Sequence, residues 1–190
     1  MTTPASATER ALHWAVATIV LVLVLSGTVL YVPALSEAVG QRFWVRSAHL
    51  AAAAALALAP AAIALTRWSD VRALERQLSR WESADRAWFL RPWRVLAGNE
   101  VGQLPSGRFN AGQKLFAALV ATGLVVLLLT GIPMSWWSRF DAAVVARSRD
   151  LHVTAAYVLV ALLAGHIYLG LLSPYRMRLR WPHRRRGGAD

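Results

Sequence analysis

The chain has no cysteine in its 190 residues. Disulfides, thiolate metal sites, iron–sulfur clusters and covalently attached c-type haem are therefore excluded within it. It has a single lysine, Lys114, so nearly all its positive charge is arginine. Charged residues are only 16% of the total, against roughly 25% in an ordinary soluble domain. Charge is missing altogether from residues 11–36, 47–66, 115–138 and 151–175, stretches of 26, 20, 24 and 25 residues. About 20 apolar residues cross a bilayer as a helix. These absences exclude a soluble globule, a disordered chain and a nucleic-acid-binding module. They leave an all-α, polytopic membrane protein, read as one domain over 1–190 with spans at about 11–32, 47–66, 114–133 and 151–172.

What charge there is follows topology. With four spans, both termini and the 67–114 connection lie on one side of the membrane. That side carries 16 of the 21 Lys and Arg, and the two opposite loops carry only Arg42, Arg46, Arg139, Arg147 and Arg149. The positive-inside rule then places both termini in the cytoplasm of a bacterial cell, with the chain in the inner membrane. The net charge of +11 is met by anionic lipid headgroups, the run Arg184-Arg185-Arg186 included, and no nucleic-acid partner is implied. The first apolar run lacks a basic leader and is longer than a signal-peptide core, so it reads as a retained span.

All nine Trp lie in connections or near span ends, as in an interfacial aromatic belt. In the long connection, Trp68, Val71, Leu74, Leu78, Trp81 and Trp88 form a helical apolar stripe interleaved with Arg72, Arg76, Arg80 and Arg86. That pattern predicts an amphipathic helix on the inner membrane surface. Residues 97–107 read as loop, and no internal repeat is apparent.

Four histidines occupy spans or their lips: His13, His49, His152 and His166. The fifth, His183, lies in the basic tail and reads as solvated. Polar side chains within spans usually face the bundle interior. Spans 1 and 2 run in opposite directions, so His13 falls at the inner end and His49 at the outer end. His152 starts span 4 at its outer end, and His166 lies 14 residues later, about 21 Å deeper and close to four whole turns on. One face of span 4 therefore offers an imidazole at each of two levels: His49 pairs with His152, and His13 with His166. Two bis-histidine b-type haems require this arrangement. Two imidazoles per iron leave no open position, so the expected chemistry is outer-sphere electron transfer.

Arginine precedes three of these histidines by three residues: Arg10, Arg46 and Arg149. Arg10 and Arg46 are candidates for pairing with haem propionates, and Arg149 is a weaker one. Gly27, Gly123 and Gly165 serve either close approach of a flat macrocycle or ordinary helix packing. A single zinc ion cannot join two pairs about 21 Å apart. A proton-coupled transporter would place Asp or Glu inside the bilayer, and the four charge-free stretches hold none.

The chain resembles the cytochrome b (gamma) subunit of respiratory formate dehydrogenase, within the di-haem membrane cytochrome b group that includes nickel–iron hydrogenase cytochrome b subunits. The resemblance runs from Arg10 to about Tyr175. Its narrowest signal is Phe109-Asn110-Ala111-Gly112-Gln113-Lys114 at the start of span 3. It implies two haem b, and a quinone bound near Asn110, Gly112 and His166 at the inner face. It also implies an iron–sulfur subunit on the outer face and a molybdenum- or tungsten-type catalytic subunit beyond it. Asn110 is a plausible helix N-cap there. Lys114 is either functional or an interfacial anchor. Two other readings use the same module: a standalone di-haem quinone oxidoreductase of the superoxide-oxidising type, and a hydrogenase cytochrome b subunit.

Overall fold

The computed structural model describes residues 7–90, 109 and 111–172, and all their regular structure is helical. Four long helices dominate: α1 (Ala7–Tyr31), α3 (Arg42–Thr66), α6 (Ala111–Ser135) and α7 (Ala142–Leu172). Between them lie α2 (Pro33–Val39), α4 (Trp68–Ser79), α5 (Ser83–Leu90) and a short 3₁₀ turn, Trp137–Arg139. By length and apolarity, Arg10–Tyr31, Ala111–Ser135 and Ala142–Leu171 can each cross a membrane.

The charge-free stretches locate these helices but not their ends. Helix α3 begins at Arg42 and α7 at Ala142, each ahead of its apolar block. Backbone hydrogen bonding does not stop where charge begins, and Arg147, Arg149 and Asp150 remain helical. The 33–46 connection, expected as a plain loop, contains α2. Pro33 opens it at a position where no N–H is needed, and Gly40 closes it at φ 63°, which suits a residue without Cβ. Arg42 then ties the corner, its Nη1 donating to Ser36 Oγ at 2.8 Å and to the Leu30 carbonyl at 3.3 Å.

The expected single amphipathic helix is two helices, broken at residues 80–82. The break has a local cause. Asp85 Oδ2 accepts the Glu82 N–H at 2.8 Å, half of a capping box that starts α5 afresh. No residue of α4 is buried, and Trp68 is exposed beneath the Arg72 guanidinium, 4.8 Å from the ring centre. Among the described residues nothing buries the α4 stripe, as a surface-lying helix requires.

The long helices form two hairpins. Helix α1 packs along α3, and α6 packs along α7. Between the hairpins the backbones scarcely approach one another. They meet instead through side chains: two histidine pairs, the edge-on rings of Tyr31 and Tyr157 at 6.1 Å, and Arg46 Nη2 donating to the Ser135 carbonyl at 3.3 Å. Few side chains are buried. Ser26, Thr130, Asp85 and Lys114 are among them, so much of what the protein encloses is polar.

Candidate cofactor cleft

The cleft between the hairpins holds all four span histidines. At one end the rings of His49 and His152 face each other with centres 6.5 Å apart and planes tilted by 58°. At the other end His13 and His166 stand 6.0 Å apart, tilted by 53°. Helix α7 carries a member of each pair, 14 residues apart. Helix α3 supplies His49, and α1 supplies His13.

Two imidazoles sharing one metal at the usual nitrogen–metal length of about 2 Å leave their ring centres roughly 6 Å apart. Both observed pairs have that spacing. Among the described residues no three or more His, Cys, Asp or Glu side chains cluster as a metal site. Two protein donors per level fit an iron whose remaining positions belong to a macrocycle. The backbone also leaves room. A Cβ placed on Gly123 or Gly165 meets nothing within 4 Å. At Gly27 it would stand 3.3 Å from His49 Cε1, so this glycine lets the imidazole lie against α1, whereas at Gly131 it would meet His152 Cε1 at 3.8 Å, an ordinary contact.

Two residues that the sequence reading passed over set the His49 and His152 rings. Ser26 Oγ lies 2.9 Å from His49 Nδ1, and Thr130 Oγ1 lies 2.9 Å from His152 Nδ1. Each hydroxyl has one proton and spends it on its own helix: Ser26 donates to the Val22 carbonyl at 2.6 Å, Thr130 to the Val126 carbonyl at 2.7 Å. The oxygens are left to accept, and in the tautomer whose Nδ1–H donates to them the Nε2 lone pair of each ring is free for a metal. The two supports repeat one another. Leu25-Ser26-Gly27 on α1 and Leu129-Thr130-Gly131 on α6 occupy the first helix of their hairpins, each with its histidine on the second. The two tripeptides are alike in residue type and in their place within the hairpin.

The other pair is built differently. His13 and His166 are exposed, and His13 meets Trp14 edge-on at 5.6 Å. Phe116 stacks on His166 with centres 4.9 Å apart and planes 11° from parallel. Two residues before Phe116, Lys114 is buried in an ion pair with Asp85 of α5 at 2.7 Å. Its Nζ also donates to the Arg80 carbonyl at 2.7 Å and stands 5.7 Å from the centre of the Trp81 ring. Lys114 is thus neither a snorkelling cation nor a free one; it staples the connecting helices to the start of α6. Burial pushes the Asp85 carboxyl up. The Lys114 and Glu82 N–H hydrogen bonds and the Lys114 charge outweigh it and hold the group below the usual carboxylate range. Asp85 Oδ1 is buried without a partner.

The remaining predicted residues are placed as follows. Arg46 sits at the His49 end. Arg149 is solvent-exposed beside Asp150, at 3.8 Å. Gly112 lies half-buried in the first turn of α6, next to the fully buried Ala111. Arg10 is on α1, one turn before His13. Asn110, the 97–107 loop, His183 and the Arg184–Arg186 run lie outside the described residues.

The chain is similar in sequence to known proteins. The cytochrome b556(Fdn) subunit of nitrate-inducible formate dehydrogenase from Escherichia coli (strain K12) is 27% identical over 168 residues, which cover 85% of this chain and 73% of that one. Proteins of the same description from Escherichia coli O157:H7 and Shigella flexneri match to the same extent. Residues 5–181 fit the family described as prokaryotic cytochrome b561, and with nearly the whole length matched the chain belongs to that family.

Proposed function

We propose that the chain is the membrane electron-transfer subunit of a formate dehydrogenase-type complex, with four spans and two bis-histidine haem b sites. In this reading it passes electrons from an iron–sulfur partner on the outer face to a quinone near the cytoplasmic face. The observation that carries it is the pair of facing imidazole couples, stacked on one helix in a cleft that backbone packing leaves open.

Haem b, when bound, supplies reversible one-electron exchange at iron. The chain's own residues do the rest. His49 with His152, and His13 with His166, would each hold a haem iron and would leave it no position for a substrate. Arg46 at one end and Arg10 at the other are placed to neutralise propionates. At the outer end Phe43, Trp44, Trp136 and Trp137 are 65–70% exposed, an aromatic rim suited to the interface and to a docking iron–sulfur subunit. At the inner end Gly112 lies in the first turn of α6, where unpaired backbone N–H groups can donate to a quinone carbonyl, and Asn110, just before it in sequence, is the second residue proposed for that site. His166 and the Lys114–Asp85 pair stand near it. The relatives named as cytochrome subunits of formate dehydrogenase support a place in such a complex; the partners proposed within it are an iron–sulfur subunit and, beyond it, a molybdenum- or tungsten-type catalytic subunit.

Haem counting tests the reading. The purified full-length chain should carry two low-spin b haems, extractable with acid acetone. His49→Ala and His152→Ala should each remove the same haem, and His13→Ala and His166→Ala the other. A single haem in the parent chain, or loss of one and the same haem from His13→Ala and His49→Ala, would sink it.

A further inference from the structure

The hydroxyl supports are confined to one end of the cleft. In the His49/His152 pair, each Nδ1 lies 2.9 Å from a side-chain hydroxyl oxygen, which can accept Nδ1–H because the hydroxyl's own proton goes to a backbone carbonyl. Among the described residues no hydroxyl pairs with either ring of the His13/His166 pair; aromatic rings touch those instead. The supporting oxygens are themselves fixed. Ser26 and Thr130 are 8% exposed, and each is anchored by its bond to the carbonyl four residues back. A hydrogen bond from the far nitrogen of a ligating imidazole pushes electron density onto the ring and makes the near nitrogen a stronger donor. A stronger donor favours the ferric over the ferrous state, which lowers the reduction potential.

We propose that Ser26 and Thr130 are positioning residues that set the His49/His152 haem at a lower potential than the His13/His166 haem. The inference rests on the di-haem reading above. One electron then moves downhill from the first level to the second, with no proton or bond changing hands in the chain. The device is symmetric across its site and asymmetric along the cleft. Each hairpin contributes one hydroxyl and one glycine, so both axial ligands of one haem are strengthened together. Among the described residues no hydroxyl is placed in the same way against His13 or His166. A hydroxyl that merely satisfied itself in an apolar helix would need only its backbone carbonyl, and both already have one.

The test is a potentiometric titration of the purified full-length chain, followed at the haem absorption bands. Ser26→Ala and Thr130→Val remove one acceptor each, and the double variant removes both. The lower-potential component should rise in each single variant and rise further in the double one, while the higher component stays in place. A tenfold change in the one-electron equilibrium constant, equivalent to 59 mV, is the upper bound expected per hydrogen bond. Ser26→Thr and Thr130→Ser keep the hydroxyl and should titrate as the parent does. If Ser26→Ala loses haem, Ser26→Cys carries the same prediction, because a thiol accepts only weakly. Unchanged potentials in the double variant, or a shift in the higher component alone, would overturn the inference. The di-haem reading fails separately, by a parent chain that binds fewer than two haems.

Discussion

The two ends of the cleft solve one problem in opposite ways. At the His49/His152 end the rings are half-buried, each is held by a hydroxyl, and Gly27 lets the His49 ring lie close. At the His13/His166 end the rings are exposed and lie against other aromatic rings, and the buried Lys114–Asp85 ion pair sits two residues before the Phe116 that stacks on His166. A ligand whose ring is locked keeps one tautomer and one donor strength. A ligand left open can share its surroundings with a small molecule. Under the proposed function, the closed end receives electrons from a protein partner, and the open end meets a quinone and cytoplasmic water.

The steric half of this contrast breaks with the largest effect. A Cβ at Gly27 would stand 3.3 Å from His49 Cε1, already tight, and the methyls of valine leave the ring no place. Gly27→Val should therefore yield a chain with one haem, bound by His13 and His166, as measured by haem content per chain. Gly131→Ala, with 3.8 Å available at His152, should keep two. Two haems in Gly27→Val would show that the closed end has more slack than its geometry implies.

A smaller effect is expected at the open end. Asp85→Ala strands the Lys114 ammonium. The pair is covered by its neighbours but lies in a thin layer of protein, so water relieves part of the loss, and the cost is about 1–3 kcal/mol. Hydrogen exchange of the α5 peptide should quicken while the His49/His152 haem titrates normally. Asp85→Asn, which keeps an acceptor, should fall between. If α5 in Asp85→Ala exchanges at the parent rate, the ion pair does not hold the connecting helices down.

Acidification is the mildest perturbation, and its sign follows from the depressed Asp85 pKa. A carboxyl lower in the folded than in the unfolded state contributes stability above its unfolded value, about 3.9. That contribution is lost as pH falls through the still lower folded value. Protection of α5, corrected for intrinsic exchange, should be flat from about pH 5 to 8 and fall below about pH 4. A fall near neutrality would assign the anchoring to another group.

The sequence revealed whatever depends on spacing along one helix. Charge-free blocks located the long helices, because lipid excludes charge wherever the helix happens to end. The 14-residue interval between His152 and His166 placed two imidazoles on one face before any fold was known. Ser26 and Thr130 were not legible, because a hydroxyl in an apolar helix usually bonds its own backbone, and only the opposing helix reveals a second partner. Asp85 was hidden for a similar reason. On α5 it looks like one more charge in a solvated segment; its partner is 29 residues away on another helix. Likewise, the break between α4 and α5 depends on one side chain turning back on Glu82, which periodicity does not register.

Helix α7 acts as a ruler, and rulers constrain evolution. Fourteen residues at about 100° each fall about 40° short of four turns, which keeps His152 and His166 on one side. One extra residue between them would swing His166 by about 100° and push it about 1.5 Å along the axis. Length changes at 153–165 should therefore be purged from descendants of this chain, while those in the short connections on either side of α2 and before α7 persist. An alanine inserted after Leu159 should leave one haem. An alanine inserted between Phe140 and Asp141, outside the measured interval, should leave two. Equal haem content in both insertions would mean that the cleft, not the helix, sets the distance.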